Sequence, residues 1–233
     1  MTADAAKRRA AERAVELVES GMRLGLGTGS TARHVVDVLA ERMEAGALRD
    51  IVGVPTSRAT EAHARARGVP TATLDELERL DLTIDGADEI DPEFNLIKGL
   101  GGALLWEKIV AYASDRVCVV ADPSKRVEKL GTRAPVPVEV LPFGWTTHLE
   151  FYKAIHGEPK RRVDTNGNGK PFVTDSGNYI IDVWFPDGIY DPWDTHYMLR
   201  ERPGTIETGL FLELVTHVVI GSADKAELLT APS

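Results

Sequence analysis

The sequence predicts an α/β protein with a mostly parallel, helix-covered sheet and a smaller α+β domain inserted into it. Three observations carry this. Strand-like apolar runs alternate with helical stretches from the N-terminus to about residue 125, the pattern of βα units. From about residue 133 prolines and Asn/Gly turns break that alternation. Near the end, TIETGLFLEL and THVVIGSAD return to strand character. The expected division is an α/β domain over 1–132 and 208–233, of Rossmann-like type, and an α+β domain over 133–207.

Each element follows from its local pattern. Ala10, Ala14, Leu17 and Val18 give residues 4–19 an amphipathic helical spacing, and Ser20-Gly21 end it. Met22 to Gly27 reads as a strand, 28–31 as a turn, and 31–43 as a helix with Val35, Val36, Val38 and Leu39 apolar. IVGVPTS and RATEAHARARG form the next strand and helix. LDLTIDGADEID is a strand running into an acidic loop, GGALLWEKIVAYAS a helix and RVCVVAD a strand. PVPVEVLPF is a short apolar alternation, and PKRRVDTNGNGKPFVTDSGNYIIDVWF reads as two strands around Asn/Gly turns.

The chain has 233 residues, 43% of them hydrophobic and 27% charged, with a formal net charge of −9. That composition supports a packed core, and the acidic balance disfavours binding to nucleic acid. A small anion is not excluded, because local dipoles and one or two lysines outweigh distant charge. The single cysteine, Cys118, precludes an intramolecular disulfide and reads as a small core residue. No apolar run of 18 residues predicts a membrane span, and the N-terminus lacks an apolar core of signal-peptide type, so a cytoplasmic protein is expected. The six histidines form no metal-binding spacing, and the four tryptophans read as packing residues.

Ligands of open parallel sheets bind beyond the carboxyl ends of the strands, where the unusual residues of this chain fall. Gly27-Thr28-Gly29-Ser30-Thr31 opens a helix, and its glycines, hydroxyls and amide N–H groups suit a sugar phosphate or similar anion. A dinucleotide fits less well. Ser30 stands where G-x-G-x-x-G needs its third glycine, and Thr56-Ser57 stand where a ribose-binding acid is expected. A purely structural turn is the remaining alternative. Asp85-Gly86-Ala87-Asp88-Glu89-Ile90-Asp91 sets four carboxylates in seven residues. They read as a solvated acidic loop, as a metal site, or as groups that bond sugar hydroxyls and move protons. In Lys98-Gly99-Leu100-Gly101-Gly102 a lysine opens a glycine-rich turn suited to an oxyanion, and Glu107 follows one turn into the next helix. Alone, Glu107 would read as a surface ion-pair partner; beside that turn it is a candidate base. Lys125, in DPSK, is a phosphate ligand or a surface charge.

Together GLGTGST (25–31), DGADEID (85–91), KGLGGALLWEK (98–108), DPSK (122–125), PVPVEVLPF (135–143), TDSGNYIID (174–182) and PGTIETGLF (203–211) resemble the type A ribose-5-phosphate isomerases. The resemblance implies interconversion of D-ribose 5-phosphate and D-ribulose 5-phosphate in the non-oxidative pentose phosphate pathway, through a cis-enediolate. It implies no metal and no organic cofactor, a small pentose phosphate as the partner, and a homodimer or dimer of dimers. It assigns the base to Glu107, ring-opening proton transfer to Asp85 or Asp88 with Lys98, and oxyanion stabilisation to Lys98 and the N–H groups of Gly99, Leu100 and Gly101. Substrate contacts fall on Thr28, Gly29, Ser30, Thr31, Gly86 and Ala87, with Lys125 at the phosphate and Lys7 as a second phosphate lysine. Two positions depart from the family pattern. Leu100 replaces a common glycine, which is tolerable if its φ is negative. Trp106 replaces a common arginine. The rival readings are a non-catalytic sugar-phosphate sensor and a nucleotide-dependent oxidoreductase.

Overall fold

The computed structural model describes residues 3–165, 169–222 and 224–231. In chain order the elements are α1 (Ala3–Val15), β1 (Arg23–Leu26), α2 (Ser30–Glu44), β2 (Val52–Pro55), α3 (Arg58–Ala66), α4 (Leu74–Leu77), β3 (Leu82–Gly86), β4 (Glu89–Ile90), β5 (Leu96–Ile97), α5 (Leu104–Tyr112), β6 (Val117–Ala121) and a 3-10 turn, Pro123–Lys125. They continue with β7 (Val136–Val140), α6 (Thr147–Ala154), β8 (Glu158–Arg161), β9 (Tyr179–Trp184), α7 (Pro192–Glu201), β10 (Thr205–Thr208), β11 (Leu210–Phe211), β12 (His217–Gly221) and β13 (Ala226–Thr230). Two compact units result: Met1–Ala87, Trp106–Arg126 and Glu213–Ser233 form the first, and Asp88–Leu105 and Val127–Leu212 the second.

The first unit is a six-stranded sheet in the order β13-β12-β6-β3-β1-β2. All neighbours are parallel except β13, which turns back antiparallel on β12. The chain leaves β1 for β2 on one side and returns to β3 on the other, so a topological switch point lies between the ends of β1 and β3. The parallel strands are largely buried, as strands covered by helices must be, while the antiparallel edge strand β13 is not. Helix α2 fills one face with Val35, Val36, Val38 and Leu39. Helix α1 approaches closely because Ala10, Ala11 and Ala14 are small. A Cβ on Gly221 would stand 2.2 Å from the Ala6 carbonyl oxygen. This helix stops at Val15, short of the expected residue 19. Leu17 and Val18 bond back three residues instead of four, and Gly21 takes a positive φ of 86°. Cys118 is fully buried, and burial pushes its thiol up to about 12, so it is a core residue.

The second unit holds an antiparallel four-stranded sheet, β10-β7-β9-β8, and a small sheet, β11-β5-β4. Its core comprises Val136, Val138, Val140, Tyr152, Ile181, Val183 and Leu199, joined by Ile97 and Leu210. The unit is larger than the 133–207 insert expected from the sequence. Residues 88–105 and 208–212 belong to it because β4, β5 and β11 pair with one another. The expected Asn/Gly turn at 166–168, and Ala223 of the last expected strand, lie outside the described residues. Among the described residues no helix is long and apolar enough to cross a membrane.

Candidate active site

In the first unit, the loop after β1 meets the end of β3. Gly27 has no side chain, and a Cβ there would lie 2.1 Å from Asp85 Oδ1. That space lets the Thr28 N–H (3.1 Å) and the Gly86 N–H (2.7 Å) both donate to Asp85 Oδ1. Asp85 is 3% exposed, so the solvated-loop reading does not hold for it. Gly86 and Ala87 follow, half-buried. The Thr28 hydroxyl lies 2.7 Å from that of Thr56 and 3.1 Å from that of Thr60, and donates to Ser57 Oγ at 2.9 Å. Thr28 therefore locks the β1 loop to the β2 loop. Ser57, where a dinucleotide site would have its acid, instead caps α3 by accepting the Thr60 N–H.

Gly29, with φ of 111°, is the N-cap of α2, followed by exposed Ser30 and half-buried Thr31. Lys7 Nζ donates to Ser30 Oγ at 2.8 Å, so the lysine of α1 stands at the start of α2. Lys125 closes the 3-10 turn after β6. Burial disfavours the charged form of Asp122, which caps that turn. Bonds from Ser124, with the charges of Lys125 and Lys7, still hold its carboxyl below the ordinary range. A helix start and two lysines around hydroxyls form an arrangement suited to a phosphate.

In the second unit the acidic residues separate in role. Glu89 is fully buried and accepts the N–H groups of Gly131 (2.6 Å), Arg133 (2.5 Å) and Ala134 (2.7 Å), a structural anchor. Asp91 accepts the N–H groups of Glu93 (2.9 Å) and Asn95 (2.8 Å), shaping the turn between β4 and β5. Asp88 accepts the Leu100 N–H on Oδ2 at 2.9 Å. The Leu100 amide, expected among the oxyanion donors, thus donates to Asp88 in this structure. Leu100 does not take a positive φ, whereas Gly99 (101°) and Gly102 (85°) do, which explains why a side chain is accepted at 100 but not at 99 or 102. Gly101 is exposed.

Lys98 is 4% exposed, with Nζ 5.5 Å above the Phe211 ring. Its N–H donates to the Gly209 carbonyl at 2.9 Å, and the Gly209 N–H donates to the Pro137 carbonyl at 2.7 Å. Pro137 has no N–H to return, so the Gly209 carbonyl is left for Lys98. A Cβ on Gly209 would lie 2.3 Å from the Lys98 carbonyl oxygen. The next turn is braced by Arg162, whose Nη1 donates to the carbonyls of Gly99 (2.8 Å) and Leu100 (3.1 Å). The sequence reading assigned no role to Arg162, Pro137 or Gly209. Pro137 and Gly209 carry a local signal as breakers inside strand patterns; Arg162, 62 residues from Leu100, carries none.

Helix α5 begins at Leu104 and holds Glu107 in its first turn, where the helix dipole favours a carboxylate. Glu107 is 4% exposed, against the surface-pair reading. Trp106 lines a groove of about 370 Å³ with Val54, Pro55, Leu74, Ile109 and Val110. Among the described residues no group of three or more His, Cys, Asp or Glu side chains is disposed to hold a metal ion.

The family model for ribose 5-phosphate isomerase A (phosphoriboisomerase A) matches residues 52–225. The chain is 50% identical over 226 residues to "Ribose-5-phosphate isomerase A" of Roseiflexus castenholzii, covering 97% of this chain and 95% of that one. It is also 50% identical to the protein of the same name from Nitrobacter hamburgensis, covering 96% of each. A solved D-ribose-5-phosphate isomerase in complex with phospho-erythronic acid superposes with a TM-score of 0.95 at 39% identity, covering 99% of this chain and 100% of that one. Ribose 5-phosphate isomerase from Plasmodium falciparum superposes with a TM-score of 0.93 at 37% identity, over 99% and 100%. With seven ordered motifs, a matching fold and half of its residues shared with these relatives, the chain belongs to the ribose 5-phosphate isomerase A family.

Proposed function

We propose that the chain interconverts D-ribose 5-phosphate and D-ribulose 5-phosphate by proton transfer through a cis-enediolate, with Glu107 as the base. The activity rests on family membership. The observation that carries the mechanism is the burial of Glu107 at the start of α5, nine residues after Lys98 and its glycine turn. Burial keeps bulk water from competing with the substrate for that carboxylate.

The furanose first opens: the O1 hydroxyl loses a proton, the ring oxygen gains one, and Asp85 or Asp88 with Lys98 carries this traffic. Glu107 then removes the C2 proton, and the electron pair moves through C1 to leave negative charge on O1. Lys98 and the N–H groups of Gly99 and Gly101 stabilise that charge; a donor aimed at an oxyanion contributes about 3–4 kcal/mol. As the O2 proton is lost and O1 regains one, Glu107 returns its proton to C1, giving the ketose. Asp88, held by the Leu100 N–H, keeps a fixed orientation for sugar hydroxyls. Ser30, Thr31, Lys7, Lys125 and the start of α2 hold the phosphate, orienting the chain of carbons without entering the reaction.

The deciding experiment follows ketose formation from ribose 5-phosphate by the purified wild type and Glu107→Gln, with and without EDTA. The wild type is expected to be active and indifferent to EDTA. Glu107→Gln should lose at least about 10³-fold in kcat with KM nearly unchanged. Wild-type turnover in Glu107→Gln removes the base assignment, absence of ketose from the wild type removes the function, and inhibition by EDTA removes the metal-free mechanism. The same reading expects a homodimer or dimer of dimers, which light scattering on the purified chain checks.

A further inference from the structure

We propose that Arg162 is a positioning residue of the isomerisation, setting both the Asp88 carboxylate and the Gly101 N–H by holding two successive carbonyls of the glycine turn. This rests on the function proposed above, in which that turn stabilises the enediolate.

Arg162 follows β8, and its side chain is 11% exposed. Its planar fork is divided between two tasks. Nε donates to Asp182 Oδ2 at 3.0 Å and Nη2 pairs with Asp182 Oδ1, which fixes the plane of the guanidinium on β9. Nη1 donates to the Gly99 carbonyl at 2.8 Å and the Leu100 carbonyl at 3.1 Å. The Phe172 ring lies 5.8 Å from the guanidinium and closes over Gly102, where a Cβ would stand 2.3 Å from Phe172 Cζ.

A trans peptide unit is planar, so its C=O and the following N–H point in opposite directions. The Gly99 carbonyl accepts both Arg162 Nη1 and, within the turn, the Gly102 N–H at 2.9 Å; held there, it turns the Leu100 N–H the other way, to Asp88 Oδ2 at 2.9 Å. Drawing the Leu100 carbonyl to the same nitrogen likewise turns the Gly101 N–H away from Arg162. One guanidinium, anchored by one carboxylate, thus shares the first carbonyl with the Gly102 N–H and takes the second, helping to orient two consecutive amides, one for Asp88 and one for developing charge on O1. Lysine, a point charge on a flexible stem, does not reproduce this fork.

The competing reading is a buried ion pair that only stabilises the second unit. Steady-state kinetics, thermal unfolding and inhibition by phospho-erythronic acid, whose planar carboxylate resembles an enediolate in shape and charge, separate the two for wild type, Arg162→Lys and Asp182→Asn. For Arg162→Lys, kcat should fall about 10–100-fold with KM within about threefold, since misdirected donors are lost mainly from the transition state. Inhibition should weaken by a comparable factor. Asp182→Asn, which keeps Arg162 but loosens its plane, should show a smaller loss of the same kind and serves if the first variant does not fold. If both variants keep kcat within about twofold, or lose activity through KM in step with a fall in Tm, the positioning role is wrong. A wild type that makes no ketose overturns the function and this proposal together; an active wild type with an unimpaired Arg162→Lys overturns this proposal alone.

Discussion

At Gly27 a hydrogen stands where any other residue would place a carbon 2.1 Å from Asp85 Oδ1. The glycine is required by close approach, because the loop brings the Thr28 N–H onto the same oxygen that accepts the Gly86 N–H. Gly27→Ala should displace Asp85 and lower kcat by about tenfold or more with the fold retained, as ketose assays beside circular dichroism would reveal. On the phosphate side the expected signature is opposite. Lys125→Ala should raise KM about tenfold for phosphorylated substrate and leave kcat nearly unaltered, since a group that only grips the substrate contributes equally to ground and transition states. An unchanged KM would remove Lys125 from the phosphate site. At Gly27 the sequence signal has a geometric counterpart, since the backbone there passes too close to Asp85 for a side chain, and Lys98 and Glu107, singled out by their glycine-rich surroundings, are both buried. The division of labour among Asp85, Asp88, Glu89 and Asp91 was not legible in the sequence, because four carboxylates in one short segment look alike until their bonds are known.

Among the elements, the βα units were read with boundaries close to those observed, because each buries one face with a clear period. The pairs β4 and β5 were missed: strands of two residues have no period to read. Strand β7 contains an unusual element-level choice, Glu139 at 1% exposure in a five-residue buried strand. Burial pushes its carboxyl up, outweighing bonds from Asn178 and Thr174 that favour the charged form, while Glu207 and Asp175 add to the rise. A folded pKa above the unfolded value gives stability that is complete below the unfolded pKa and is lost as pH rises through the folded one. Glu139→Gln keeps an acceptor for Thr174 and Asn178 without the charge. Its Tm should exceed that of the wild type by a few degrees at pH 8, the difference shrinking toward pH 4. A pH-independent difference would show that Glu139 is not the group concerned.

For the whole molecule, the net charge of −9 opposes an anionic substrate at long range, and only local groups reverse this. Lys7 and Lys125 are half-buried, so salt screens them incompletely. Raising NaCl from about 50 mM to about 500 mM should increase KM several-fold with kcat little changed, and Lys125→Ala should flatten that dependence. A KM independent of salt in the wild type would show that these charges do not hold the phosphate.

The sequence by itself determined the fold class, the alternation of the main strands and helices, and the family, and it proposed which loops carry chemistry. These follow from local periodicity and from residue types that the backbone or the reaction demands. Only the tertiary structure decided that residues 88–105 join the second unit, that Pro137 and Gly209 free a carbonyl for Lys98, and that the Leu100 amide serves Asp88. It also revealed Arg162 behind the glycine turn. The physical reason is range. Periodicity reports which face of an element is buried. It does not say which of two amides in a turn meets a carboxylate, or which arginine 62 residues away reaches the carbonyls between them.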